Sequence, residues 1–261
     1  MIRALSTSAT GMNALQTKLD VTANNVANSQ TAGFKKGRAE FEDLMYQTLR
    51  APGANAGANN RAGTGLQVGL GVKVAGTSVS MQEGDLTQTG NAYDVAINGR
   101  GFFVLSDPEG NPVYTRNGSF HMDAEGRLVN AQGYGLASEI VIPPDATSVT
   151  IGNDGIVTAS TATEAEPIEI GQIEVANFAN PAGLQAMGKT LFKETAASGT
   201  PIVGIPGQEG TGHLEQGMIE GSNVKVVEEM IDLISGQRAY EVNSRVVQAA
   251  DEMLQQTANL R

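Results

Sequence analysis

The sequence predicts an α+β fold in which long N- and C-terminal helices form a coiled-coil-like core domain, interrupted by an inserted mainly-β domain and an extended connecting region. Three observations predict it. Val226, Leu233, Tyr240, Val247 and Leu254 recur at every seventh position near the C-terminus. Ile2, Leu5, Ala9, Met12, Leu19, Ala23 and Val26 are spaced largely by threes and fours at the N-terminus. Between them, short apolar runs are separated by Asn-Gly and Asp-x-x-Gly turn signals, the pattern of an antiparallel meander.

The C-terminal helix is expected to begin near Val224, with Asn223 as its N-cap and Glu228 and Glu229 placing negative charge at the positive end of its dipole. Met230, Ile234, Val246, Ala250 and Met253 thicken its sevenfold stripe, and such a repeat specifies a partner-facing seam. At about 1.5 Å per residue this helix runs on the order of 55 Å, so it needs an elongated partner. The N-terminal helix, expected from Arg3 to Ala27 or Asn28, supplies one. Leu15, Val21, Val242 and Leu260 lie off the main stripe. A two-helix pair has no use for a second apolar face, so these residues point to contacts with further copies. An intramolecular hairpin alone is the simpler reading.

The stretch Lys35 to Arg50 fits either a short helix or an extended arm, through Phe41, Leu44, Met45 and Leu49. Ala51 to Gly65 is a Gly/Ala/Asn run of linker type. Val72 to Ser80 alternates as a strand. From Asn91 the chain reads as short strands around Val95, Ile97 and Phe102 to Leu105, with turns at Asp107 to Asn111, Asn117-Gly118 and Asp123 to Gly126. Strand character continues from Ile140 to Phe178, and Leu184 to Gly217 is Gly-rich connection. The expected domains are residues 1–30 with 222–261, residues 31–84 with 205–221 as the connecting region (extended segment 46–72), and residues 85–204.

Composition narrows the function. The chain of 261 residues is 40% hydrophobic, only 5% aromatic, rich in glycine (32) and carries a net charge of −11. That charge is uneven: residues 1–84 carry +3, residues 85–220 carry −12 and residues 221–261 carry −2. Near-neutral termini can pack closely, and an acidic middle argues against nucleic acid as a partner. There is no cysteine, so thiol chemistry is excluded. No stretch has the length and apolarity of a membrane span, and Ser6, Thr7, Ser8, Thr10 and Asn13 interrupt the N-terminus where a signal peptide would have its apolar core. His121 and His213 lack a second ligand at metal spacing. Phosphate-loop, dinucleotide and nucleophile-elbow motifs are absent. No catalytic residue, cofactor or metal is expected.

Several segments carry a family resemblance. ANNVANSQTAGFKKGRAEF (Ala23 to Phe41), DVAINGRGFFV, YTRNGSF and GRLVNAQGY in the middle, and SNVKVVEEM with GQRAYEVNS near the end resemble the bacterial flagellar axial family of rod and hook proteins. Its signature falls here on Asn24, Asn25, Asn28, Gly33 and Phe34 and on Asn223, Gln237, Arg238, Tyr240, Glu241 and Asn243. YQTLRAPG followed by GLQVGLGV, with Tyr46, Pro52, Gly53, Gly65, Leu66 and Gln67, resembles the extra extended segment of the family's distal-rod branch. Lys225, where relatives often have Asn, and Gly236, mid-helix, depart from the pattern.

The resemblance implies a non-enzymatic subunit that polymerises into a rigid helical tube and transmits torque to the hook. Its implied assembly interface is Ile2, Leu5, Met12, Leu15, Leu19 and Val26 on the first helix. On the last helix it is Val226, Met230, Leu233, Ile234, Tyr240, Val247 and Leu254. The β domain becomes an outer domain. The implied partners are further copies of the chain, proximal rod proteins, the hook protein, the basal-body rings and the flagellar export apparatus, with no membrane insertion. The implied location is the basal body, spanning the periplasm after export without a cleavable signal. The rival readings are a proximal-rod or short hook-type subunit and, from another class, a β-domain adhesin on a helical dimerisation stalk.

Overall fold

The computed structural model describes residues 2–52, 64–161, 166–208 and 210–259. The fold is α+β, with one helix at each end and a β-rich middle. The chain forms two compact units. One comprises residues 1–27, 37–78 and 225–261, and the other residues 28–36 and 79–224.

The first unit holds α1 (Ile2–Ala27), β1 (Gly37–Asp43), β2 (Tyr46–Arg50), β3 (Leu66–Gly69), β4 (Val72–Val79) and α2 (Val226–Asn259). Its helices run antiparallel, because Gly11 faces Asn243 while Asn25 bonds to Glu229. The stretch from Lys35 to Arg50 is strand rather than helix. β1 pairs with β4 and β2 with β3, Tyr46 lying opposite Gly69. The short apolar run Phe41 to Leu49 has only its alternation to follow, and strand partners from β3 and β4 satisfy its backbone groups.

The second unit is built from β5 (Leu86–Gln88), β6 (Val95–Asn98), β7 (Phe102–Ser106), β8 (Pro112–Thr115), β9 (Phe120–Met122), β10 (Leu128–Asn130) and β11 (Gly135–Leu136). It continues with β12 (Ala146–Ile151), β13 (Ile156–Thr161), β14 (Ile168–Gln172), β15 (Val175–Asn177) and β16 (Gln185–Gly188). It ends with β17 (Leu191–Lys193), β18 (Ile202–Gly204), β19 (His213–Gln216) and β20 (Met218–Glu220). The expected turns occur. Asp107 accepts from Gly110 N through its carbonyl, and the Asp123 carboxylate accepts from the backbone of Glu125 and Arg127. Asn117 Oδ1 accepts from Ser119 N.

β7 explains why this unit is stable with so few aromatic residues. Phe103 and Leu105 point into a large cluster with Val95, Ile97, Phe120, Leu128 and Ile173. Phe102 and Val104 point the other way, into a smaller one with Tyr114, Phe178 and Phe192. The smaller cluster stacks edge to face, Tyr114 on Phe178 at 4.8 Å and Phe102 on Phe178 at 5.7 Å, the arrangement that aromatic quadrupoles favour. A strand buried on both faces reads as a continuous apolar run, which is what FFVL is.

Two expectations fail locally. Leu184 to Gly217 is not connection alone: it holds β16 to β19, with Leu191, Phe192 and Leu214 buried. α2 starts at Val226, and Asn223 does not cap it. Its Oδ1 accepts from Lys36 N at 2.7 Å, and its Nδ2 donates to the carbonyls of Ser80 at 2.9 Å and Gln82 at 3.0 Å. The amide meets one donor and two acceptors, a fuller match to its bonding capacity than a single cap bond.

Candidate functional site

The helix pair presents two faces of α2. Along the face toward α1, Leu233, Val247 and Leu254 are half-buried. Glu229, Gly236 and Ala250 are buried and Asn243 half-buried, again at sevenfold spacing. The inner face is thus one apolar row beside one small or polar row. Small residues let the helices approach. A β-carbon on Gly236 would lie 2.9 Å from Leu19 Cδ2, and one on Gly11 3.2 Å from the Asn243 amide. Gly236 therefore marks close contact with α1 in this chain.

The polar end of that row is satisfied. Asn25 is buried, accepts from Gly37 N and donates to Gly37 O, both at 2.9 Å, and donates to Glu229 Oε2 at 3.0 Å. One side-chain amide thereby pairs like a strand with the start of β1 and ties in the first turns of α2. Lys18 and Asp232 add an exposed ion pair at 3.4 Å. Such exposed pairs contribute about 0–1 kcal/mol.

On the outer face Val227, Met230, Ile231, Ile234, Val242, Val246 and Met253 are exposed, with Val227 at 71%, Ile231 at 62% and Val242 at 59%, while Val226 and Tyr240, in the same sevenfold row as Leu233, are only partly open. Of the residues expected at an assembly interface, Met230 and Ile234 lie on this open side, and Val226 and Tyr240 are partly exposed members of the seam row. Leu233, Val247 and Leu254 face the seam, and Leu5, Met12, Leu15, Leu19 and Val26 are half-buried on α1. Met230, Ile234, Val246 and Met253 therefore do not thicken the inner stripe; only Ala250 does. Val21 is half-buried. The side chain of Ile2, Gly53 and Leu260 fall outside the described residues.

The other signature positions divide. Asn24, Gln237, Arg238 and Glu241 are exposed, and Asn28 and Phe34 half-buried. Gly33 is buried with φ of 69°, and a β-carbon there would lie 2.6 Å from Asn117 N, so both its backbone and its space require glycine. In the β2–β3 ribbon, Tyr46 and Leu66 are more than half exposed, Pro52 is exposed, and Gln67 bonds Thr48 at 3.4 Å. A β-carbon on Gly65 would crowd Arg50 O at 2.8 Å.

Three charged side chains escaped the sequence reading. Glu220 is buried and accepts from Lys35 Nζ at 2.6 Å, Arg116 Nε at 2.6 Å and Gly84 N at 2.9 Å. Lys35 also donates to Gln82 O at 2.6 Å, and Arg116 Nη1 to Gly99 O and Gly101 O at 2.8 Å. Burial alone would push the Glu220 carboxyl up, but the Arg116 and Lys35 charges and hydrogen bonds hold it below the ordinary carboxylate range. Burial pulls the Lys35 ammonium down, against the attraction of Glu220. Each residue stood alone in sequence; the one available signal was its place among apolar or glycine neighbours in GFKKG, YTRNG and MIEGS.

Among the described residues no group of acidic, histidine or cysteine side chains has the arrangement of a metal site, and no helix is long and apolar enough to cross a membrane.

Three family models match the chain. A flagella basal body rod protein model covers residues 5–35, a flagellar hook protein FlgE/F/G D1 domain model residues 96–159, and a flagellar basal body rod FlgEFG protein C-terminal model residues 215–260. The flagellar basal-body rod protein FlgG of Borreliella burgdorferi is 49% identical, over 100% of this chain and 99% of its own length. That of Buchnera aphidicola subsp. Schizaphis graminum is 47% identical over 100% of both. The flagellar hook protein FlgE of Salmonella typhimurium is 25% identical over 99% of this chain and 100% of its own. With rod-protein relatives matching at this level along its whole length, and models matching both ends and the β-rich middle, the chain belongs to the flagellar basal-body rod protein family.

Proposed function

We propose that this chain is a structural, non-enzymatic subunit of the flagellar basal-body rod. Within it we place the chain in the distal rod, where it polymerises through its terminal helices into a rigid helical tube that passes torque to the hook. The observation that carries the reading is the open apolar stripe of α2, from Val227 through Ile231 and Val242 to Met253. The opposite side of the helix already rests on α1. A stripe of that length left to water is costly at about 25 cal/mol per Å², and a second copy of the same helix pair is a partner of matching shape. Contacts between different faces whose rotation does not close into a ring propagate as a tube.

In this reading residues 1–30 with 222–261 form a coiled-coil-like tube wall, residues 31–84 with 205–221 connect it, and residues 85–204 stand outward. Ile2, Leu5, Met12, Leu15, Leu19 and Val26 join Val226, Met230, Leu233, Ile234, Tyr240, Val247 and Leu254 in the contacts within and between copies. Segment 46–72, which holds the β2–β3 ribbon and the positions Tyr46, Pro52, Gly53, Gly65, Leu66 and Gln67, stiffens the rod. Two-stranded ribbons are marginal alone, and the exposed Tyr46, Leu49 and Leu66 favour one braced by neighbours. Proximal rod proteins, the hook protein, the surrounding rings and the export apparatus are the further partners, and the subunit spans the periplasm after export without a cleavable signal. The terminal helices are largely disordered in the free monomer and fold on assembly.

Electron microscopy of concentrated protein tests this. The full chain is expected to form tubes, and a chain stopping at Val224 none. Assembly that halts at two copies contradicts the proposal and favours a stalked dimer.

A further inference from the structure

The ion triad lies where the β unit gathers three separate passes of the chain. Segment 28–36 contributes Lys35, the backbone N–H of Gly33, which donates to Glu220 O at 2.8 Å, and that of Lys36, which donates to Asn223 Oδ1. Segment 79–84 contributes the carbonyls of Ser80 and Gln82 and the N–H of Gly84. The returning pass contributes Glu220 and Asn223, and Arg116 closes the cluster from the end of β8. The three side chains of the triad are almost wholly buried, at 1% for Lys35 and Glu220 and 4% for Arg116.

The charge count makes this a latch rather than a rivet. Two cations share one carboxylate. Glu83 lies near enough to act on Lys35, and Arg100 lines the same cleft of about 480 Å³ beside Lys35 and Arg116. Asp85 contributes its carbonyl to Gly221 N rather than its charge. Removing the Glu220 charge leaves two buried cations with only Glu83 acting on Lys35 in its place, and an unbalanced buried ion cluster is costly. Arg116 retains the carbonyls of Ile97, Gly99 and Gly101, so it stays. Lys35 retains only Gln82 O and is held by a segment with no strand of its own, so it leaves.

We propose that Lys35, Arg116, Glu220 and Asn223 form a charge latch locking segments 28–36 and 79–84 to the returning strand β20, and that neutralising Glu220 opens it, freeing segment 28–36 while the β core stays folded. The latch lies within the β unit and does not depend on how the chain assembles. The segments it holds adjoin in sequence the places where the chain passes between its two units, at residues 27/28, 36/37, 78/79 and 224/225.

Amide hydrogen exchange of the full chain tests it, because Gly33, Lys36 and Gly84 donate directly into the latch. In Glu220→Gln these amides are expected to exchange faster by about ten- to a hundredfold, and those of β7 and β8 by clearly less. In Lys35→Met/Glu220→Gln, where the stranded ammonium is gone, exchange at Gly84 is expected to return most of the way to wild type. Asn223→Ala, which keeps every charge, is expected to release Lys36 alone and covers the case in which Glu220→Gln fails to accumulate. Unchanged exchange at the three amides, equal acceleration throughout β7 and β8, or simple addition of the two substitutions in the double variant would each overturn the latch.

Discussion

Leu19 of α1 packs over Gly236 of α2 so closely that a β-carbon at position 236 would stand 2.9 Å from Leu19 Cδ2. In an isolated helix Gly→Ala gains about 1 kcal/mol. Here the methyl must displace a leucine tip, and overpacking costs roughly 1–3 kcal/mol. Gly236→Ala is therefore expected to lie between neutral and about 2 kcal/mol destabilising. Gly236→Leu, which cannot be absorbed by one side-chain tip, is expected to raise the critical concentration for assembly at least about tenfold. A Gly236→Leu chain that assembles like wild type would mean the seam is not held at this distance.

Asn25 offers a sharper probe of the same pair. Asn25→Ala strands Gly37 N–H and Gly37 C=O, at about 1–3 kcal/mol per unsatisfied group, and removes one hydrogen bond from Glu229. Asn25→Asp is expected to be worse at neutral pH, since its carboxylate faces both Glu229 and the Gly37 carbonyl, and to recover on acidification. Sedimentation of assembled protein against pH checks the order wild type, Ala, Asp.

The β unit carries its own pH dependence. Glu220 has its folded pKa held below its ordinary 4.5, so its contribution is fully present above about 4.5 and is lost as the pH falls through the lower, folded value. Lys35, also lowered from its ordinary 10.5, likewise makes stability rise with pH, but as a cost: burying it charged costs stability at neutral pH, and that cost is relieved as the pH rises through its folded value toward 10.5. Breaking a buried pair costs about 3–5 kcal/mol, so Glu220→Gln is expected to lower the melting temperature of the β unit at pH 7. The gap to wild type should narrow below pH 4. A gap constant from pH 7 to pH 3 would show that the carboxylate charge is not what matters.

Gly33→Ala combines a left-handed backbone, costing about 1–2 kcal/mol for any other residue, with a clash against the backbone of Asn117. Backbone cannot swing aside as Leu19 can. The expected result is a β unit melting well below wild type, whereas Gly110→Ala, at φ of 83° with open space around it, should lose only the conformational part. Equal losses at the two positions would remove the steric argument.

What could be read from the sequence, and what could not, follows from range. The row Leu233, Val247 and Leu254 was legible because apolar residues at sevenfold spacing announce a seam. The row Glu229, Gly236, Asn243 and Ala250 beside it was not, since a charged residue, a glycine and an amide look like an exposed face until their partners on α1 are known. That is why Met230 and Ile234 read as part of the inner stripe although both are exposed. The turns at Asp107, Asn117 and Asp123 are local chemistry and were placed correctly. Asn223 has the local look of a helix cap but answers to Lys36, Ser80 and Gln82, more than a hundred residues away in sequence. Lys35, Arg116 and Glu220 are three lone charges until the sheet brings them to one point.

The central claim, that the outer stripe of α2 joins one copy to the next, is tested most directly by Ile231→Asp/Val242→Asp. Both side chains are exposed, so the substitutions leave the seam with α1 and the β unit intact. Electron microscopy of concentrated protein is expected to show tubes from the wild-type chain and none from the double variant, with the two indistinguishable in the melting of the β unit. Tubes of normal form from the double variant would contradict the account.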